Sequence, residues 1–242
     1  MSKSTAPLPD WELVLSSAAR LQRILPDAVL VDGTTSAIQA GHRFSGDADH
    51  VLTDLRQRFD QILAQLEMAA GWKTVRVQRP VQILCSLDGI DTGICQLFRA
   101  EPLETEVVYF EGARITVPTE AELLRIKGVL IPKRNATRDY LDFVALADRI
   151  GDVKAARALQ VFDRIYQQEN GESPLQQLQV QLANALPYDL EETELSEYKN
   201  LDPRWQDWQV VKSASAHVAT VILDRVCDIQ NGGDHGDRKS PS

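Results

Sequence analysis

Residues 30–50, LVDGTTSAIQAGHRFSGDADH, decide how the rest of the chain is read. The apolar run 28–31 reads as a buried strand, Gly33 as a tight turn, and 34–40 as a short helix closed by Gly41. His42-Arg43-Phe44 then leads into a second strand that carries Asp47 and Asp49 and continues through Val51 and Leu52. In an extended chain residues i and i+2 face the same way, so the two carboxylates share a face. Two such groups repel each other unless a cation lies between them. Mg²⁺ takes oxygen ligands, commonly one or two carboxylates plus substrate phosphates. Upstream, Gly33-Thr34-Thr35 supplies small residues and backbone N–H groups at a helix start, where phosphate can approach closely. A phosphate cradle beside metal-binding carboxylates is the minimum equipment for nucleotidyl transfer. An Asp-x-Asp pair alone is usually a solvated strand edge; the glycine turn at this distance, behind an apolar strand, is what raises it to a candidate site.

The whole-chain numbers narrow the class. With 242 residues there is room for one large domain or two small ones, each with a core. Hydrophobic content of 43% and charged content of 25% are those of an ordinary globular protein. The net charge of −9 excludes a general nucleic-acid coat, which needs a basic surface, and leaves room only for a local basic groove. Cys85, Cys95 and Cys227 form no zinc pattern and read as buried apolar residues in a reducing compartment. No run approaches eighteen apolar residues, and the first ten lack an apolar signal core, so the expected location is cytoplasmic, with no membrane partner.

Residues 1–9 read as a loose arm, and 10–25 as an amphipathic helix with Asp10 as N-cap. A further helix is expected over 54–70, closed by Gly71. Short strands follow at 72–77, 81–87, 93–98, 106–110 and 113–117, punctuated by Gly, Pro and Asp. Asp88, Asp91 and Glu106 lie at strand ends, and each is a candidate for a third carboxylate.

The second informative stretch is 117–146, VPTEAELLRIKGVLIPKRNATRDYLDFVAL. Thr119 and Glu122 form a capping box, so a helix starts there, and Pro132 is expected to break it. Lys127 falls among apolar neighbours, which is costly unless it snorkels to water or meets an anion. Lys133, Arg134 and Arg138 make a local positive cluster in an acidic chain. Thr137 reads as the cap of a further helix on which Asp139 and Asp142, three apart, share a face. Ordinary compensation of the helix dipole would also account for Asp139.

Gly33-Thr34, twelve residues, then Asp47-Ala48-Asp49 resembles the signature of polymerase-β-like nucleotidyltransferases. Together with LLRIK…R…RDYLDFVAL, the chain from about 28 to 150 resembles the AbiEii/AbiGii nucleotidyltransferase toxins of type IV toxin–antitoxin systems. The resemblance implies an α+β fold, a mixed sheet with flanking helices, followed by a helical C-terminal lobe. It implies Mg²⁺ (or Mn²⁺) on Asp47 and Asp49, and a nucleotide-binding turn at Gly33 and Thr34. Ser45 would contact phosphate, Lys127 the nucleotide phosphates, and Asp142 with Asp139 would match the last acidic motif. Arg134 and Arg138 would neutralise the leaving pyrophosphate. The implied partners are a nucleoside triphosphate, an acceptor such as tRNA, and a cognate antitoxin protein. Any RNA would dock on the basic patch around 133–138, with Arg43 as an addition. Two departures stand out: Asp32 replaces the first glycine of a Gly-Gly-Thr turn, and His50 replaces an apolar residue after the acidic pair.

Beyond residue 148 no β pattern appears, and helices are expected over 152–168, 174–186, 190–198 and 214–229. Ser173 caps the second of these, Trp205 and Trp208 read as core anchors, and the stretch from Asn231 reads as a disordered tail. The expected domains are a nucleotidyltransferase domain at 10–150, a helical lobe at 151–230 and a tail at 231–242. Two other functions stay open: a small-molecule nucleotidyltransferase acting on an antibiotic or metabolite, and a non-catalytic relative serving as a binding module.

Overall fold

The computed structural model describes residues 10–232. The expected N-terminal arm, the tail beyond Gly232 and the Cys227 side chain lie outside the described residues. The chain forms two compact units whose boundary falls inside one helix. The first comprises the chain through Leu123 together with Ser196–Asp202; the second comprises Leu124–Leu195 and the chain from Pro203 on.

The first unit begins with helix α1 (Trp11–Ile24), strand β1 (Val29–Leu30), helix α2 (Asp32–Ala40), strand β2 (His50–Leu52) and helix α3 (Leu55–Glu67). Strands β3 (Trp72–Gln78), β4 (Gln82–Leu87) and β5 (Ile90–Gln96) follow, then the pair β6 (Thr105–Phe110) and β7 (Ala113–Pro118). Five strands form a mixed sheet in the order β1-β2-β5-β4-β3, and β6 and β7 make a separate two-stranded sheet. The β2–β5 pair is parallel, with His50 opposite Ile94 and Leu52 opposite Gln96. The other three pairs of the large sheet are antiparallel.

Apolar periodicity explains what packs on the sheet. In α3, Leu55, Phe59, Ile62 and Leu66 follow helical spacing and are buried. They form one core cluster with Leu21 and Leu25 near the end of α1 and with Leu52, Ile83, Leu87 and Ile94 of the strands. A second cluster joins Val14, Leu15 and Ala18 of α1 to Ile115 and Val117 of β7. The alternation of β4, with Ile83, Cys85 and Leu87 buried, is the period-two signature of a strand with an inward face.

Helix α4 (Glu120–Arg134) crosses the unit boundary, and α5 (Thr137–Ile150) follows in the second unit. That unit continues through α6 (Asp152–Leu159), α7 (Phe162–Ile165), α8 (Pro174–Ala183) and the 25-residue α9 (Trp208–Gly232). No described helix is long and apolar enough to cross a membrane.

The cap of α4 is half a capping box. Glu122 N donates to Thr119 Oγ1 at 3.2 Å, but the Glu122 carboxylate turns to Arg99, 2.7 Å away, rather than back to the Thr119 amide. Pro132 does not end α4; it sits inside the helix, which runs on to Arg134. A proline forfeits one N–H and crowds the carbonyl four residues back, which here belongs to Gly128, and the helix has only two residues still to run. Thr137 is the first residue of α5 rather than its cap. Asp189 caps instead, accepting from both Thr137 N and Thr137 Oγ1 at 2.8 Å. Ser173 does cap α8, accepting from Gln176 N at 3.0 Å. The expected helix at 190–198 is reduced to two 3₁₀ turns, Leu190–Glu192 and Leu195–Glu197. Asp189, Glu191, Glu192, Glu194 and Glu197 crowd like charges into that stretch, which disfavours a continuous helix.

Candidate active site

The acidic pair is set by the segment between α2 and β2. Helix α2 starts at Asp32, two residues earlier than expected, so the glycine turn is the first turn of the helix. The left-handed residue is Asp32, at φ 65°, and Gly33 has no positive φ. The Gly33 requirement is one of space. A Cβ there would lie 2.6 Å from Ser45 Oγ and 3.0 Å from an Arg43 guanidinium nitrogen. The bare Cα lets the stretch carrying Arg43 and Ser45 press against the start of α2.

Three hydroxyls shape the Asp47–Asp49 backbone. Thr34, fully buried, donates to the Asp47 carbonyl, which gives this residue a framing role. Ser45 donates to Asp47 Oδ1, orienting that carboxylate. Thr92 donates to the carbonyl of Ala48, and Ala48 N donates to the Asp91 carbonyl at 3.0 Å. Val31 N donates to the Asp49 carbonyl at 2.8 Å. Asp47 and Asp49 therefore stand just ahead of β2, bonded to β1 on one side and β5 on the other, and both are half-buried.

Gly93 of β5 was not foreseen as part of this arrangement. A Cβ at that position would come within 2.7 Å of Asp49 Oδ1. A glycine in the interior of a strand marks close approach of another group, and that signal was present in the sequence. Of the three candidates for a further carboxylate, Glu106 lies on the separate β6–β7 sheet, and Asp88 lies in the β4–β5 turn bound to Arg20. Asp91 is the one on the strand that borders the acidic pair. Among the described residues no group of three or more His, Cys, Asp or Glu comes together as a metal site. The pair still fits a hard divalent ion: it offers two carboxylates and a cradle at Gly93 that a side chain would fill, and such an ion draws its remaining oxygens from phosphate and water.

His50 is fully buried, its Nδ1–H donating to the Ala48 carbonyl at 2.8 Å. Burial pushes its pKa down to about 4, so it is a neutral imidazole standing where an apolar residue would serve. Burial likewise pushes the Cys85 thiol far up, which rules it out as a nucleophile. Its Sγ donates to the Thr92 carbonyl at 3.1 Å.

The other expected site residues lie in the second unit. Lys127 of α4 neither snorkels nor reaches solvent: its Nζ is 2.8 Å from Asp142 Oδ2 and 3.7 Å from Asp139 Oδ1 of α5, and all three side chains are fully buried. Compensation of the α5 dipole from the surface is thereby excluded for Asp139. The two aspartates share a face, as their spacing requires, and that face meets Lys127. Arg134 and Arg138, at the end of α4 and the start of α5, are exposed.

No protein-family model matches the sequence. The chain is 32% identical over 241 residues to the heme uptake protein MmpL11 of Mycobacterium tuberculosis (strain ATCC 25618 / H37Rv), an alignment covering 90% of this chain and 23% of that protein. It is 33% identical over 137 residues to the mycolic acid-containing lipids exporter MmpL11 of Mycolicibacterium smegmatis, covering 55% of this chain and 14% of the exporter. The chain thus spans about a quarter of the length of the curated relatives it matches first. Among solved structures it is similar to an H. pylori protein assigned as a nucleotidyltransferase, with 14% identity and a TM-score of 0.52 over 93% of this chain and 98% of that one. The class is defined at the level of fold: a mixed α+β architecture shared with that structure.

Proposed function

We propose that this protein is a Mg²⁺-dependent nucleotidyltransferase that moves a nucleotidyl group from a nucleoside triphosphate to an acceptor hydroxyl. The observation that carries the reading is the acidic pair, held between β1 and β5 with Ser45 fixing one carboxylate and Gly93 leaving space at the other. Asp47 and Asp49 would hold Mg²⁺ (or Mn²⁺), which would supply Lewis-acid activation of the triphosphate and lower the pKa of the attacking hydroxyl. The chain's own residues do the rest. The start of α2 at Gly33 presents backbone N–H groups to phosphate, Thr34 locks the Asp47 backbone, and Ser45 keeps Asp47 pointed. Lys127 is fully buried against Asp142 and Asp139, so its ammonium ties α4 to α5 rather than meeting the pyrophosphate.

The resemblance of 28–150 to the AbiEii toxins supports a finer reading: the toxin of a type IV toxin–antitoxin system, with tRNA as acceptor and a cognate antitoxin protein as partner. The domain limits that accompany it are 10–150 for the catalytic part and 151–230 for the helical lobe. The test is incubation of the protein with total RNA and each labelled triphosphate, wild type beside Asp47→Ala. Label on RNA with wild type and none with the variant is the expected result. Absence of label with every triphosphate and every RNA fraction would sink the RNA-directed reading.

The likeness to a quarter of MmpL11 favours a second reading, in which the fold serves without catalysis as a binding module. Calorimetry with Mg²⁺ and each triphosphate separates the two, since such a module need not take up the triphosphate at all.

A further inference from the structure

The face of the large sheet that bears the acidic pair carries more than carboxylates, and strand register fixes which residues share it. Between β5 and β4, Asp91 lies opposite Ser86, Gly93 opposite Leu84 and Cys95 opposite Gln82. A Cβ on Gly93 would stand 2.7 Å from Asp49 Oδ1 and 3.3 Å from Leu84 Cδ2, so these positions belong to the face of the acidic pair. The alternate residues Ile83, Leu87 and Ile94 turn the other way, into the core formed with α1 and α3.

The edge strand β3 completes this face by way of an irregularity. Lys73 pairs with Ser86 and Arg76 with Leu84, because the register shifts between Thr74 and Arg76. Residues three apart on a regular strand point to opposite faces; the extra residue of a bulge, here Val75, puts Lys73 and Arg76 on the same one. Trp72 packs against the core, which fixes the outward sense of its neighbour Lys73. Both cations are exposed, and among the described residues neither pairs with a carboxylate.

One row of residues thus runs Asp49, Gly93, Leu84, Arg76 across the sheet, and beside it a second runs Asp91, Ser86, Lys73. Neighbouring strands lie about 4.8 Å apart, so three strand steps put roughly 14 Å between the acidic end and the basic edge. That is the length of about four stacked nucleotides at roughly 3.4 Å each. The floor between the two ends is uncharged, made of the half-buried Gln82, Leu84 and Ser86. Cations and a bulge at an exposed edge also discourage pairing with another sheet, a purpose that either face would serve. Their gathering on the face of Asp49, in a chain of net charge −9, is what points to an anionic ligand.

We propose that this face is the acceptor platform: a phosphodiester strand lies across β5, β4 and β3, with its terminal hydroxyl at the acidic pair and its phosphates on Lys73 and Arg76. The two cations hold the strand and take no part in the transfer itself. The inference rests on the nucleotidyltransferase reading and deepens it, placing the acceptor on the first unit and on cations outside 133–138.

The experiment is fluorescence anisotropy of the full chain with labelled single strands of about a dozen nucleotides, oligouridylate as RNA and oligothymidylate as DNA, over a salt series. The Lys73→Gln/Arg76→Gln double variant is expected to bind about tenfold more weakly at low salt. Its log affinity should also fall less steeply with log salt, by about 1.4, since each phosphate contact on a single strand contributes about 0.7. Each single variant should show about half that change in slope, and either carries the test should the double variant fail to fold. Affinity for Mg²⁺-triphosphate, measured by calorimetry, stays within about twofold of wild type, because the cations stand roughly 14 Å from the metal carboxylates. Arg79→Gln removes a cation of the β3–β4 turn that is already paired with Asp60, and leaves strand binding within about twofold. Equal effects on RNA and DNA assign the contacts to the shared backbone, and effects on RNA alone add a reading of the 2′-hydroxyl; both support the platform. Unchanged affinity and slope in the double variant overturn the inference alone. So do an equal loss in Arg79→Gln, an equal loss of triphosphate affinity, or a wild type that binds triphosphate and neither strand. Failure of the wild type to bind any triphosphate overturns the nucleotidyltransferase reading and the inference with it.

Discussion

His50 and Asp32 depart from the pattern expected around the acidic pair, and each is accommodated by a different physical device. His50 is tolerated inside the sheet because it is neutral and its Nδ1–H is satisfied by Ala48. Its folded pKa of about 4 lies below the unfolded value of 6.5, so the unfolded chain takes the proton first. This contribution to stability is intact above pH 6.5, falls as pH drops toward 4, and is flat below that, a total of about 3 kcal/mol. His50→Gln should flatten the slope of urea stability against pH inside that window relative to wild type. Equal slopes would remove His50 from the account of acid sensitivity. Asp32 occupies left-handed backbone that costs an L-residue roughly 1–2 kcal/mol, with Asp among the more tolerant side chains. Asp32→Val should lower stability by about 2 kcal/mol, whereas Asp32→Gly should hold it. If the nucleotide turn works as proposed, Asp32→Gly also tightens binding of Mg²⁺-triphosphate by removing a carboxylate from its entrance. Chemical denaturation and calorimetry on the two variants check both halves.

At the scale of elements, helices α4 and α5 owe their position to residues far away in sequence. The N-terminus of α5 is capped by Asp189, 52 residues later, through two bonds to Thr137. Asp189→Ala should cost about 1 kcal/mol, measured by denaturant midpoint. A local reading assigns the cap to Thr137 because it cannot see a carboxylate arriving from another loop. Helix α4 packs through Gly128, where a Cβ would lie 3.0 Å from Leu178, 3.2 Å from Phe162 and 3.3 Å from Phe143. Gly128→Val should destabilise by about 2 kcal/mol through overpacking, while Gly128→Ala, which gains helix propensity, should change stability by less than about 1 kcal/mol. The Lys127–Asp142 pair across these helices is fully buried, so Lys127→Met leaves buried carboxylates behind and should cost roughly 3–5 kcal/mol. Loss of activity in that variant counts toward function only at a temperature where a melt shows it folded.

At the scale of the whole molecule, the path of the chain ties the two units together. The chain crosses between the units three times, after Leu123, after Leu195 and after Asp202. The expected outcome is one cooperative transition: fluorescence of Trp11 and Trp72 in the first unit and of Trp205 and Trp208 in the second should report the same midpoint as circular dichroism. Trp-to-Phe variants that leave one reporting pair at a time make the check, and separated midpoints would show units that unfold independently.

Much of this architecture is written locally. Apolar runs bounded by Gly, Pro and Asp place the strands, β5 only to within three residues, helical spacing places α1, α3 and α5, and Ser173-Pro174 marks the start of α8. The Asp-x-Asp spacing by itself puts two carboxylates on one extended stretch, and the Asp139–Asp142 spacing puts two on one helical face. These features depend on neighbours within about four residues, which is why sequence alone determines them. Tertiary structure alone decided that Lys127 is buried against that acidic face, that Gly93 makes room for Asp49, that Asp189 caps α5, and that residues 196–202 return to bracket Arg43. Each of those joins segments dozens of residues apart, and the energy that selects such a pairing exists only once the core has closed around it.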